Sequence, residues 1–363
     1  MIKAVIIGFA HMHVNEVALY IHEAEGISLV ACADLVPETA ELTKTRYTRG
    51  WNIENVKANY CSNIYDNYIE MLDNEKPDIA FILTETYKKP EIVENCAKRG
   101  INVSIEKPMA VTYKEALKIK KSVEKYGVFA MVNWPLTWRP YLHQMKKALD
   151  DGIIGNLVKT KFLIGNTGPV GRGAIHRGVT DAAEDMTDLQ KSKMWWYQKK
   201  CGGGAFLDFC CYGCMFSTWI NKEDAVSVVG AAGNYATNFA DIYDNGAALV
   251  KYKNSLSVLE GTWTTPSRAI PAGPTLYGTE GVITCEREEG IPVVKAFDIY
   301  GNDINVPEFS YPEYMKNIAT QYVHFVKTGV PVHQTLSFDF NMNVMKLLDR
   351  AHSSAEKGKE IKI

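Results

Sequence analysis

Between Lys3 and Val132, short β-branched runs alternate with longer stretches of helical period, and this alternation constrains the fold more than any other feature of the chain. Strands are expected at Lys3–Gly8, Ser28–Asp34, Asp78–Leu83, Asn102–Ile105 and Val128–Val132. Helices are expected at His13–Ala24, Pro37–Tyr47, Tyr65–Asp73, Lys89–Arg99 and Tyr113–Tyr126. Gly26, Gly100 and Gly127 follow three of these helices, where a left-handed residue commonly ends a helix. Strands that are each returned by a helix must lie parallel, so the pattern predicts an α/β unit with a doubly wound sheet, a Rossmann-type domain over residues 1–134.

After Trp134-Pro135 the pattern changes. A helix at Tyr141–Asp150 precedes closely spaced strand-like runs at Leu157–Ile164, Ala225–Ala231, Ala247–Lys253, Ser255–Trp263 and Thr275–Tyr277. Helices at Glu313–Lys327 and Phe338–Glu356 close the chain. This predicts a second, α+β domain over residues 135–363 with a large, mostly antiparallel open sheet. A length of 363 residues leaves material for two cores. The segment Asn166–Lys200 is polar and aperiodic, as binding loops and lids often are.

The 40 basic and 42 acidic residues nearly cancel, which gives no pull toward nucleic acid or an anionic membrane. The sequence shows no secretory leader and no run of about 18 apolar residues, so a cytoplasmic protein is expected. The eight cysteines are unevenly spaced and read as reduced. Cys201, Cys210, Cys211 and Cys214, with His11 and His13, raise the question of zinc, but the spacing lacks a paired Cys-x-x-Cys and no metal is expected.

The first strand runs into Gly8-Phe9-Ala10-His11-Met12-His13. A dinucleotide fingerprint needs glycines there, so that backbone amides at a helix N-terminus can approach the pyrophosphate. Only Gly8 of the three is present. Asp34 ends the second strand near the roughly 20-residue offset at which a carboxylate reaches the adenosine ribose. Leu35-Val36-Pro37 supply no arginine for a 2′-phosphate, which favours NAD over NADP.

Glu106-Lys107-Pro108, at the end of the Asn102–Ile105 strand, resembles the glucose-fructose oxidoreductase/inositol dehydrogenase (Gfo/Idh/MocA) family of NAD(P)-dependent enzymes. Thr84-Glu85-Thr86 is similar to the family's strand-end turn, with Lys89 where a histidine is common. Gly202-Gly203-Gly204-Ala205-Phe206-Leu207-Asp208 resembles its glycine-rich run, and Gly278-Thr279-Glu280-Gly281 a late strand turn. The resemblance implies a cofactor site at Gly8, Phe9, Ala10, His11, Met12, Asp34, Thr84, Glu85, Glu106 and Lys107. It also implies that Lys107 lies beside the nicotinamide, and that the second sheet joins subunits into a homodimer or homotetramer.

Many relatives carry a histidine four residues after the aspartate; here Tyr212 follows Asp208, as in some members. On a helix the two would share a face. The expected catalytic group is therefore Lys107, Tyr212 and Asp208, with the Lys107 ammonium bringing the phenol toward a useful pKa, or with Lys107 alone as base. Trp134, Trp138, Trp195 and Trp196 flank these motifs, and Trp134, Trp195 and Trp196 are candidates for stacking on a carbohydrate substrate. The implied activity is hydride transfer between NAD and a secondary hydroxyl of a sugar, polyol or derivative. The alternatives are a sugar-modifying enzyme that oxidises transiently with retained NAD, and a non-catalytic NAD-binding sensor.

Overall fold

The computed structural model describes residues 1–35, 45–170, 176, 177, 179 and 185–363. Residues 37–44 of the predicted helix Pro37–Tyr47 and part of the Asn166–Lys200 segment fall outside them, and the described end of that prediction, residues 45–47, is not helical.

The first sheet has six parallel strands, β1 (Ile2–Ile7), β2 (Ile27–Ala33), β3 (Ile64–Tyr65), β4 (Ile79–Ile82), β5 (Asn102–Glu106) and β6 (Ala130–Asn133). Their order is β3-β2-β1-β4-β5-β6, and every pairing is parallel. The order reverses between β1 and β4, which opens a crevice beyond their C-terminal ends, the place where such sheets take ligands. Helices α1 (Val14–Glu23), α2 (Arg49–Asn59), α3 (Tyr68–Glu75), α4 (Lys89–Ala97) and α5 (Tyr113–Tyr126) accompany the strands. The sequence reading missed α2 and the short edge strand β3. Residues Arg49, Asn52 and Val56 form the buried face of α2, so it lacks the apolar stripe by which a helix is recognised.

After α6 (Pro140–Asp150), β7 (Leu157–Gly165), α7 (Asp188–Lys193) and α8 (Cys211–Ile220), the remaining strands follow: β8 (Ser227–Gly233), β9 (Asn245–Lys251), β10 (Leu256–Thr262), β11 (Thr275–Gly278), β12 (Gly281–Glu288), β13 (Ile291–Asp298) and β14 (Asp303–Ile304). Helices α9 (Ile318–Thr328) and α10 (Phe338–Lys357) and strand β15 (Ile361–Lys362) end the chain. These strands form a nine-stranded sheet ordered β14-β13-β12-β11-β7-β10-β9-β8-β15, antiparallel except where β10 runs parallel to β7. The β12–β13 hairpin was not foreseen, because its charged tip, Glu286 to Glu289, reads as a loop. Across that hairpin Lys295 pairs with both Glu286 (3.0 Å) and Glu288 (2.8 Å).

The last helices return to the first sheet. Ile318, Ala319, Tyr322 and Val323 of α9 share a core with Ala4, Ile6 and Phe81, and Asn102 Nδ2 donates to Tyr322 Oη at 3.0 Å. Helix α10 meanwhile lies on β8. A Cβ on Gly230 would stand 2.3 Å from the Ala351 carbonyl oxygen and 3.0 Å from the Ala355 nitrogen, so the helix can approach only a bare backbone. Gly230→Ala is therefore expected to lower stability by about 1–3 kcal/mol, read as a fall in the urea unfolding midpoint; an unchanged midpoint would show that the two backbones are not in contact.

Candidate functional site

The turn after β1 forms although two of its three glycine positions carry side chains. Gly8 has φ 92°, and a Cβ there would lie 2.7 Å from Thr84 Cβ and 2.9 Å from Thr84 Cα, so this glycine is required by the neighbouring end of β4. Side chains hold the turn's carbonyl groups. Asn52 Nδ2 donates to Phe9 O at 2.9 Å, Trp195 Nε1 to Ala10 O at 2.9 Å and Asn15 Nδ2 to Met12 O at 3.0 Å. The His11 amide donates to Leu83 O at 3.1 Å, while among the described residues the amides of Ala10 and Met12 meet no protein acceptor. Two outward-facing amides before the N-terminus of α1 are the donors a pyrophosphate needs, and the turn fits a dinucleotide on that ground.

Asp34 is buried and is not isolated from arginine. Arg49 Nη1 donates to Asp34 Oδ1 at 2.9 Å and Oδ2 at 3.0 Å, and Arg49 Nη2 donates to Glu85 Oε1 at 2.6 Å. Leu35-Val36-Pro37 supply no arginine, as read, but a guanidinium arrives from α2, beyond the reach of a reading confined to the adjoining residues. Burial raises the Asp34 pKa against the opposing pull of Arg49. Glu85 also accepts from Thr84 Oγ1 at 2.5 Å and pairs with Lys88 at 2.9 Å. Burial would raise its pKa, but Arg49, Thr84 and Lys88 together hold it below the usual carboxylate value.

Lys107, Asp208 and Tyr212 converge. Lys107 follows β5, and its ammonium donates to Asp208 Oδ1 at 2.7 Å and to the Asp208 carbonyl at 3.1 Å. The same nitrogen stands 4.4 Å from the centre of the Tyr212 ring, over its face. Asp208 lies in a π-helical turn, Phe206–Cys210, that runs directly into α8, so the pair shares a face through a widened turn rather than a regular helical one. Gly203 permits the approach of this segment, since a Cβ there would meet the Trp196 carbonyl oxygen at 2.1 Å.

Burial opposes the Lys107 charge, yet Asp208 and Tyr212 beside it hold its pKa well above the ordinary value. Burial pushes the Tyr212 phenol strongly upward, and the lowering by Lys107 is smaller. The expectation that Lys107 brings this phenol toward neutrality is thus corrected; desolvation wins. Two supports were missed in the sequence. Trp263 Nε1 donates to Asp208 Oδ2 at 3.1 Å, a contact that no local motif announces. The buried Lys89 donates to Glu106 O at 2.7 Å and Pro108 O at 2.8 Å, clamping the backbone on both sides of Lys107; burial lowers its own pKa to about 7.

Lys107, Asp208 and Tyr212 line a cavity of about 490 Å³ together with His13, Glu16 and His176. The Tyr212 hydroxyl has no protein partner among the described residues, which leaves it to a ligand. Trp138 lines this cavity, whereas the three tryptophans expected to stack on substrate lie elsewhere. Trp134 is buried behind Tyr212, its ring 5.7 Å away and its Nε1 donating to Asn341 Oδ1 at 2.6 Å. Trp195 stacks on Trp196 at 3.9 Å and props the cofactor turn. All eight cysteines are free and buried.

Comparison with known proteins agrees with this geometry. Residues 2–134 match the family model for the oxidoreductase family with an NAD-binding Rossmann fold, and residues 142–284 match a GFO/IDH/MocA C-terminal domain. Trans-1,2-dihydrobenzene-1,2-diol dehydrogenase of Xenopus laevis is 23% identical over 220 residues, 60% of this chain and 58% of the relative. D-apiose dehydrogenase of Paraburkholderia graminis is 32% identical over 92 residues, 25% of this chain and 24% of the relative. Aldose-aldose oxidoreductase from Caulobacter crescentus, solved with glycerol, superposes with a TM-score of 0.76 at 15% identity, covering 100% of this chain and 99% of that one. No helix among the described residues is long and apolar enough to cross a membrane. With residues 2–134 and 142–284 matched by the family's models and the fold shared along its whole length, the chain belongs to the GFO/IDH/MocA oxidoreductase family.

Proposed function

We propose that this chain is an NAD-dependent oxidoreductase that transfers a hydride between the nicotinamide and a secondary hydroxyl of a sugar, polyol or sugar derivative. The reading is carried by the buried Lys107–Asp208 pair with Tyr212 against it, set on the cavity wall at the C-terminal end of β5. When bound, NAD supplies the hydride acceptor. Two of the three Lys107 donors are taken by Asp208, and the third polarises the substrate oxygen. Tyr212 takes the hydroxyl proton in oxidation and returns it in reduction. Asp208 holds the ammonium in place and, with a lone pair left over, accepts from a neighbouring substrate hydroxyl.

Trp138 is the aromatic face placed to meet a sugar ring. At the adenosine end, Asp34 and Glu85 are balanced by Arg49 and by Lys88, which pairs with Glu85 at 2.9 Å, so it is the Asp34 carboxylate itself that disfavours a 2′-phosphate. The chain is proposed to pair through the second sheet, where Val229 (44% exposed) and Leu249 (42% exposed) stand opposite each other on adjacent strands.

Three outcomes are expected. Because burial keeps the Tyr212 phenol protonated, kcat/KM for oxidation of a sugar or polyol panel should climb with pH through pH 9, while the reductive direction stays level. Tyr212→Phe should lower kcat by about 10²–10⁴-fold at unchanged melting temperature. A flat oxidative profile, or a fully active Tyr212→Phe enzyme, would remove the phenol from the mechanism. If cofactor reduction is never observed but products change in the presence of bound NAD, the transient-oxidation reading replaces this one.

Titration by tryptophan fluorescence should show NAD binding more tightly than NADP, with Asp34→Ala narrowing the gap; equal affinities would sink the charge argument. Light scattering should give a dimer or tetramer of the 40.6 kDa chain, and Val229→Asp with Leu249→Asp should shift it toward monomer. A wild-type monomer would refute the sheet interface.

A further inference from the structure

The same cavity is lined by a second cluster that the proposed hydride transfer does not use. His13 precedes α1 and Glu16 lies in its first turn, three residues apart and so on one face. His176 comes from the segment after β7. Each offers one ligand atom, and these atoms lie within 4.8 Å of one another, with His176 Nδ1 only 3.6 Å from Glu16 Oε1. All three line the cavity.

We propose that His13, Glu16 and His176 bind a divalent transition-metal ion on the wall of the substrate cavity. Two imidazoles and a carboxylate form a donor set that suits Zn²⁺ and leaves a coordination position open toward the cavity. Tetrahedral ligation at about 2.0–2.2 Å asks these atoms to draw closer, which side-chain rotation supplies.

Each ligand already has a partner of the kind that orients metal-binding groups. Glu106 Oε1 accepts from His13 Nδ1 at 2.9 Å, leaving His13 Nε2 as the nitrogen with a lone pair to offer. Glu106 is itself held by Asn133 Nδ2, which donates to Oε2 at 3.0 Å. The His176 amide donates to Tyr47 Oη at 3.0 Å, and the Tyr47 ring packs edge-on against the imidazole at 4.9 Å. The Arg177 amide donates to Glu16 Oε1 at 2.9 Å. Of the cations lining the cavity, the Arg177 guanidinium reaches Glu23 at 3.2 Å and Lys107 is paired with Asp208, while Arg139 lines it as well.

A separate observation points to a ligand in the same place. His11 is 1% exposed, its ring centre is 4.4 Å from that of His13, and its Nε2 is buried without a hydrogen-bond partner. Its Nδ1 accepts from the His13 amide at 3.2 Å, so the unpartnered Nε2 carries the ring proton and calls for an acceptor, the role a water on the ion would fill. A sequence reading centred on the cysteines missed this cluster, because His176 is remote from the other ligands in the chain.

The ion would share the cavity with Lys107 and Tyr212, so a substrate oxygen adjacent to the one being oxidised could occupy its open position. Vicinal diols and α-hydroxy ketones have that spacing. This last step rests on the hydride-transfer reading, whereas the site itself does not.

The test uses the full chain, stripped with chelator and titrated with Zn²⁺ by calorimetry and with Co²⁺ by visible absorption. One equivalent of each ion is expected to bind, with the intense d–d bands of four- or five-coordinate cobalt. Glu16→Gln and His176→Ala should each weaken Zn²⁺ binding at least 100-fold, with the melting temperature kept. Absence of a stoichiometric cobalt spectrum in the wild-type protein would overturn the proposal, as would Zn²⁺ affinity unchanged in both variants. NAD titration of the stripped protein is scored separately: metal binding without NAD binding would leave this site standing and remove the proposed function.

Discussion

The buried pair between Lys107 and Asp208 is the interaction on which the site depends. Lys107 belongs to the end of a parallel strand and Asp208 to the turn before a helix that packs on the other sheet, so a 2.7 Å contact joins two structures built independently. Neither charge has solvent to fall back on. A buried pair adds little net stability once desolvation is counted, but removing one partner strands the other at a cost of about 3–5 kcal/mol. The surrounding contacts make sense in those terms: Lys89 fixes the carbonyls beside Lys107, and Trp263 takes the second carboxylate oxygen of Asp208.

The same economy explains the cofactor turn. A glycine-rich turn lets its backbone approach the phosphates because nothing is in the way, but it holds few contacts of its own. Here Ala10 and His13 take two glycine places, and Asn52, Asn15 and Trp195 hold the carbonyls of Phe9, Met12 and Ala10. The turn is thereby fixed by side chains from three separate segments. Only Gly8 remains indispensable, because Thr84 leaves no room for a Cβ. His13, freed from the close packing a glycine there would serve, reaches Glu106 at the end of β5 instead.

What the sequence disclosed and what it hid follow from the range of each interaction. The strands of the first sheet other than the two-residue edge strand β3 were legible because burial makes them continuous apolar runs, and α5 because its apolar face repeats with the helical period. Helix α2 was not, since its buried face is polar and is held by bonds to the Gly8 turn rather than by apolar contact. Lys107, Asp208 and Tyr212 could be named from motifs. Arg49, Trp263 and His176 could not, because each is defined by a partner far away in the chain and by no local pattern. The tryptophans show the converse: Trp134, Trp195 and Trp196 adjoin the motifs in sequence but support the site from behind.

Charge also divides the cleft into regions that can be considered separately. Beyond β2 and β4, Asp34 and Glu85 share one guanidinium, and Lys88 brings a second cation to Glu85. At the end of β5, a single ammonium is matched by a single carboxylate, and the phenol beside them is held neutral by burial. In the same cavity, burial lowers the His176 pKa despite its contact with Glu16, so that imidazole keeps a lone pair at neutral pH. Burial therefore favours the neutral form of both groups and gives them opposite characters: Tyr212 is kept a proton donor, and the His176 imidazole an electron-pair donor.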